Sequence, residues 1–255
     1  CTIPNNCIRF ICVLGASLMT LVIAHRGASA YAPENTLAAF ELAVQQGADM
    51  IELDVQRSAD GTLVLFHDDT TERWDGQKRL VSNCTYDELL ALDIGGAKVM
   101  SFADACQFAA DHQIKLNVEL KQAGIGREVA QAIQKAKVQD LILISSFGAS
   151  ALDEIHEALP SLPLAYLMGT NTYRPDVRFR EAWPFAALRK HQCNTWHPYY
   201  DLPLIRQILP RVRQAGIKVN IWTVNDPQIM RSFIDLGVDG IITDKPDLLR
   251  EQLNK

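Results

Sequence analysis

The stretch that decides the fold is residues 51–68, IELDVQRSADGTLVLFHD. Two apolar runs, Met50–Asp54 and Leu63–His67, flank a polar gap that carries Asp60-Gly61, a hairpin signal. A parallel crossover needs about a dozen residues or more, and only RSADGT lies between Gln56 and Leu63. The second run must therefore return antiparallel beside the first. Similar runs recur at Leu21–His25, Lys115–Leu120, Leu141–Ser145, Pro163–Leu167, Cys193–His197, Lys218–Thr223 and Gly240–Thr243. Together with Met50–Asp54 they make eight strands once the antiparallel return is set aside. Near-continuous apolarity marks strands buried on both faces, as in a parallel sheet under helices. The expected class is α/β, a closed (β/α)8 TIM-type barrel with a small insertion after the hairpin. An open doubly wound sheet is the alternative.

Helix start signals fall between most of the runs. In PENTLAAFELAVQQG (33–47), Pro33 and Asn35 precede a period-3.6 pattern and Gly47 stops it. TYDE (85–88) and SFAD (101–104) read as capping boxes, the second with Asp in place of Glu. No low-complexity linker divides the chain, so residues 19–255 read as one catalytic barrel domain. The stretch 69–96 is longer than an ordinary loop and is expected to be a cap insertion. Residues 1–18 read as an extension of open origin. Its apolar stretch resembles a signal peptide but runs straight into the first strand, so cleavage there would damage the domain, and Met19 is a natural beginning for the fold.

The 255 residues are 48% hydrophobic and 22% charged, an ordinary globular composition. A net charge of -5 without a basic run argues against a nucleic-acid surface, yet leaves room for an anionic ligand in a local pocket. The cysteines at 1, 7, 12, 84, 106 and 193 form no CxxC pair and no zinc-like spacing. Scattered single thiols suit a reducing cytosol, and the expected localisation is cytoplasmic, or secreted or membrane-associated if residues 1–18 are native.

Carboxylates in a core are costly unless something pairs with them. Glu52 and Asp54, two residues apart on a strand, share a face, and they lie at its C-terminal end, where barrel enzymes build active sites. The hairpin brings His67 back beside them. NVELK (117–121) places Asn117, Glu119 and Lys121 on one face near another strand end, and HRG adds His25 and Arg26 to the same rim. A single strand Glu is most simply a salt-bridge partner. Three carboxylates together need a counter-charge, and hard oxygen donors suit one divalent cation, Mg²⁺ or Ca²⁺, rather than zinc. His67 alone reads as a structural histidine; beside acids and opposite His25 it becomes a general acid/base candidate. Trp222 and Phe147 serve equally as packing or as substrate wall. Tyr199 and Tyr200 are candidates for substrate contact, and Asp244 with Lys245 for a structural rim pair.

AHRGASAYAPENTLAAF, IELDVQRSADGTLVLFHDDT, NVELK, SSF, VNIWTVND and GVDGIITDKP, in this order, resemble the glycerophosphodiester phosphodiesterases over residues 21 to 248. The resemblance implies a (β/α)8 barrel that uses a divalent cation to hydrolyse glycerophosphodiesters, such as glycerophosphocholine and glycerophosphoethanolamine, to glycerol 3-phosphate and an alcohol. It implies His25 and His67 as the catalytic pair and Glu52, Asp54 and Glu119 as the metal ligands. Arg26 and Lys121 would face the phosphate, and Trp222 would line the substrate site. The chain departs from the family where Trp74 and Asp75 replace small polar residues, and in a shorter segment before SFADA. Both departures fall in the insertion and bear on the leaving group. The implied partner is a small-molecule diester, with no nucleic acid and no membrane. A lysophospholipase D at a membrane surface and a catalytically silent binding barrel are the competing expectations.

Overall fold

A computed structural model describes residues 20–169 and 174–255. The expected extension at 1–18, Met19 and the first three cysteines lie outside the described residues. The strands are β1 (Leu21–His25), β2 (Met50–Arg57), β3 (Leu63–Leu65), β4 (Lys115–Leu120), β5 (Ile142–Ser146), β6 (Leu164–Met168), β7 (Thr195–Pro198), β8 (Lys218–Ile221) and β9 (Gly240–Thr243). Eight run parallel in the order β1-β9-β8-β7-β6-β5-β4-β2, and pairing of β1 with β2 closes the ring. The fold is a (β/α)8 barrel, and the open-sheet alternative is excluded by that closure. As the short hairpin gap requires, β3 pairs antiparallel with β2, with Val55 opposite Leu65 and Arg57 opposite Leu63.

Alternation along each strand divides the apolar residues between two cores. Val22, Ala24, Ile51, Leu53, Val55, Leu116 and Val118 point outward and pack under the helices with Phe40, Phe102 and Phe233. Full burial of side chains this size stabilises by roughly 1.5–3 kcal/mol each. Inside the barrel a smaller cluster of Ile23, Met50, Leu143, Ala165 and Ile242 forms the floor. The positions above Ile23, Met50, Leu143 and Ile242 on the same strand faces are polar, and the one above Ala165 is Leu167.

The helix over Leu37–Gln45 is capped by Thr36, whose hydroxyl accepts from the Ala39 amide. The expected role of Asn35 as a start signal is thereby corrected: Asn35 takes a left-handed conformation, φ 57°, and turns its side chain toward β2. Both halves of the Thr85–Glu88 capping box form, and Ser101 accepts from the Asp104 amide. The HRG turn needs Gly27, with φ +87°, because a Cβ there would lie 2.7 Å from the Ala39 backbone. Between β3 and the helix at Phe102–His112, the inserted segment has a small core of its own. Val64 and Phe66 of the hairpin meet Val81, Leu89, Leu92, Ile94 and Val99, with Trp74 packed against them. Cys84, Cys106 and Cys193 are buried and unbridged. Among the described residues no helix is long and apolar enough to cross a membrane.

His197 lies wholly inside the barrel, where its Nε2 accepts from the Asn220 amide at 2.9 Å. Burial pushes its pKa from 6.5 down to about 3. Between these values the unfolded chain holds one more proton than the folded one. The stability His197 contributes is therefore complete above about pH 6.5 and is lost toward pH 3, at about 1.4 kcal/mol per pH unit. Thermal melts from about pH 7 to about pH 4.5 should fall less steeply for His197→Gln, which still offers Asn220 an acceptor. Equal slopes would show that the histidine is not held neutral.

Candidate active site

The acids come together through strand register. His25 is opposite Glu52 across β1 and β2, and Asp54 is opposite Glu119 across β2 and β4. Glu52, Asp54 and Glu119 are 3%, 1% and 8% exposed, and each offers an oxygen within 4.8 Å of the others. Uncompensated, so dense a set of charges would not stay ionised in a core.

Two cations answer part of the conflict. Lys121 Nζ sits 2.8 Å from Glu119 and 3.4 Å from Asp54, and Arg26 Nε is 3.1 Å from Asp54. Burial opposes the charge of Asp54, but Lys121, Arg26, His67 and a 2.9 Å hydrogen bond from Asn35 hold its carboxyl at about 2. Burial, together with the charges of Asp54 and Glu119, pushes Glu52 well above the carboxylate range even though it accepts the Arg26 backbone N–H at 3.0 Å. Burial and Asp54 likewise raise Glu119. The donor set fits a hard divalent cation. It offers three carboxylates, one of which favours its proton while the cation is absent, and a buried Asp54 oxygen without a hydrogen-bond donor.

Both imidazoles are oriented by carboxylates. His25 Nδ1 lies 2.6 Å from Asp244 and His67 Nδ1 lies 2.8 Å from Asp68. A carboxylate only accepts, so each Nδ1 carries the proton and each Nε2 is left for the cavity that both rings line. His25 Nε2 is 4.0 Å from Glu52. Burial lowers His67 below the ordinary histidine value, against the attraction of Asp54.

A cavity of about 70 Å³ at the C-terminal end of the barrel brings together His25, Arg26, Glu52, His67, Glu119, Lys121 and Trp222, with Asp54 beneath its wall. The two histidines, the three acids, Arg26, Lys121 and Trp222 thus meet at one place. Trp222 lies just past β8, donates Nε1–H to the His197 carbonyl at 2.8 Å, and meets Phe147 edge-on at 5.5 Å. It packs on the inner core and also lines the cavity. Tyr199 and Tyr200 stand beside it but do not line the cavity.

Some residues were missed. The expected rim pair with Lys245 is corrected, because the Asp244 carboxylate serves His25, Ser29 and Asn225. Burial opposes its charge, and the hydrogen bond and charge of His25 with the other donors bring it to about 2. Glu34 and Arg73 were also passed over. Arg73 of the insertion binds Asp68 at 2.7 Å and pairs with Glu34, which in turn accepts from Arg26 at 3.1 Å. The acids of PENT and TDKP were legible only as helix and loop signals; their partners are distant in sequence.

The model of the glycerophosphoryl diester phosphodiesterase family matches residues 25–248. A glycerophosphodiester phosphodiesterase of Caldanaerobacter subterraneus subsp. tengcongensis is 33% identical over 93% of this chain and 99% of that protein. Among solved structures, a phosphodiesterase of Oleispira antarctica in complex with the product sn-glycerol-3-phosphate is similar with a TM-score of 0.81. It is 30% identical, covering 94% of this chain and 98% of that one. The glycerophosphodiester phosphodiesterase of Thermotoga maritima has a TM-score of 0.72 at 29% identity, over 91% of this chain and 97% of that one.

Glu52→Gln preserves an acceptor for the Arg26 amide and removes the need to bury a charge or recruit a proton. In chelator the variant should melt about 2–4 °C higher than the parent, corresponding to about 1 kcal/mol. Excess Mg²⁺ or Ca²⁺ should raise the melting temperature of the parent more than that of the variant. A variant that melts lower in chelator would mean that the Glu52 carboxylate stabilises the fold.

Proposed function

Since the chain belongs to the glycerophosphoryl diester phosphodiesterase family and is a metal-dependent hydrolase of glycerophosphodiesters, we propose that His25 and His67 are its proton-transfer pair, Glu52, Asp54 and Glu119 its metal ligands, and Arg26, Lys121 and Trp222 its substrate contacts. The observation that carries this reading is that both imidazoles, each held at Nδ1 by a carboxylate, line the same cavity as Glu52 and Glu119. A silent binding barrel would have no use for two such rings.

When bound, a divalent cation, Mg²⁺ or Ca²⁺, polarises a phosphoryl oxygen and offsets the charge developing on it. Arg26 and Lys121 stand at the cavity wall, where a diester anion meets a planar donor fork and a point charge. As the attacking oxygen bonds to phosphorus, the Nε2 of one histidine takes its proton. As the bond from phosphorus to the alcohol oxygen breaks, the other histidine, entering protonated, gives its proton to that oxygen. Asp244 and Asp68 hold the Nδ1–H of each ring and stabilise whichever imidazole is charged. The Trp222 indole, fixed by its bond to the His197 carbonyl, offers a flat apolar face to the carbon skeleton.

The products are glycerol 3-phosphate and an alcohol, a reading supported by the product found in the Oleispira enzyme. The charged lining of the cavity supports an anionic phosphodiester as its ligand. Residues 19–255 act as one catalytic domain, with 69–96 as a cap through Arg73 and Trp74. The buried, unbridged cysteines support a cytoplasmic location.

EDTA treatment should abolish turnover of glycerophosphocholine, and Mg²⁺ or Ca²⁺ should restore it. Full turnover by metal-stripped protein would remove the ligand assignment. His25→Ala and His67→Ala should each lose about 10²- to 10⁴-fold in kcat. The double variant should be scarcely slower than the worse single one, since both act on one displacement. A p-nitrophenol leaving group should rescue only the variant that lacks the general acid, which assigns the two roles. Near-normal turnover by both single variants would make the histidines structural.

A further inference from the structure

The position of His67 is not set by β3, whose ladder ends at Leu65, two residues earlier. A side chain of the neighbouring strand reaches the turn that carries it. Gln56 follows Glu52 and Asp54 at alternate positions of β2 and is 4% exposed. Its amide Nε2 donates to the Phe66 carbonyl at 2.9 Å and to the Asp68 carbonyl at 2.8 Å, with the His67 carbonyl farther off at 3.4 Å. The two N–H groups of one amide thus grip the carbonyls on either side of the histidine. The Phe66 amide is itself held by the Asp54 carbonyl at 3.0 Å.

We propose that Gln56 is the positioning residue for His67: it fixes the backbone that carries the imidazole to the same strand that carries Glu52 and Asp54. The consequence is geometric. With Gln56 in place, the distance from the ring to the acids is that of one rigid strand, and a loop end gains the precision of a ladder. Asp68, which orients the ring, is gripped by the same amide through its carbonyl. This role rests on the reading of His67 as a proton-transfer group. Misplacing such a group by about 1 Å can cost on the order of 10²-fold in rate.

Gln56→Met keeps the length and loses the donors. With glycerophosphocholine its kcat should fall about 10- to 100-fold while KM and Mg²⁺ affinity, measured by calorimetry, stay within about twofold. In a His67→Ala background the same substitution should cost less than about twofold more, because the group it positions is gone. Gln56→Glu, of the same shape but unable to donate when ionised, should repeat the loss. If folded Gln56→Met turns over at the parent rate, or loses equally with and without His67, the positioning role is wrong. Failure of both Gln56 variants to fold would likewise overturn it, assigning the amide to barrel stability. Should His67→Ala alone retain normal turnover, the proton-transfer reading itself fails, whatever Gln56 does.

Discussion

Glu52, Asp54 and Glu119 are carboxylates on the inner face of adjacent strands, and their mutual repulsion in a nearly dry site organises everything around them. At effective dielectric constants found near buried sites, two such charges about 4 Å apart repel by about 4 kcal/mol. A marginally stable domain cannot absorb three such terms. Arg26, Lys121 and the Asn35 amide concentrate on Asp54, the most buried of the three, so its charge is the best compensated. Glu52 receives little beyond one backbone N–H, and burial with the charges of Asp54 and Glu119 raises its pKa. The compensation is local and incomplete, which is the condition of a site built to gain from a cation.

That condition dictates the shape of the barrel. Its apolar interior is confined to a thin floor of Ile23, Met50, Leu143, Ala165 and Ile242, while the helices cover a much larger outer core. Stability is thus invested mostly outside the ring of strands, and the inside is free to carry polar groups. His197 and Asn220 pair inside the ring through Nε2, and Trp222 is tied to the same histidine's carbonyl. The catalytic end rests on this layer.

The inserted segment is bound into the site by charge. From Asp54 the contacts run through Arg26, Glu34, Arg73 and Asp68, alternating in sign, and end on the His67 imidazole. Each exposed pair in such a chain contributes little to stability on its own. Their combined effect is orientation, since the chain joins both histidine-bearing turns and the insertion through shared partners. Arg73 also lies 4.6 Å over the Trp74 ring, whose face supports the guanidinium.

What the sequence by itself determined was set by short-range rules. The length of RSADGT forced an antiparallel return, period-2 spacing put Glu52 with Asp54 and Asn117 with Glu119 on shared faces, and continuous apolarity marked the eight buried strands. Strand polarity then placed His25, Arg26 and Lys121 at the same end. What only the tertiary structure decided was which group answers which. Asn35 reads as a helix start signal and instead donates a hydrogen bond to Asp54; Asp244 reads as the partner of the adjacent Lys245 and instead orients His25, 219 positions away. His67 was legible as a strand end, yet its place depends on the Gln56 amide across the hairpin. The physical reason is that periodicity records the face a side chain occupies, whereas an ion pair or hydrogen bond depends on separation in space, and that separation is fixed only when β1 meets β2 and the ring closes.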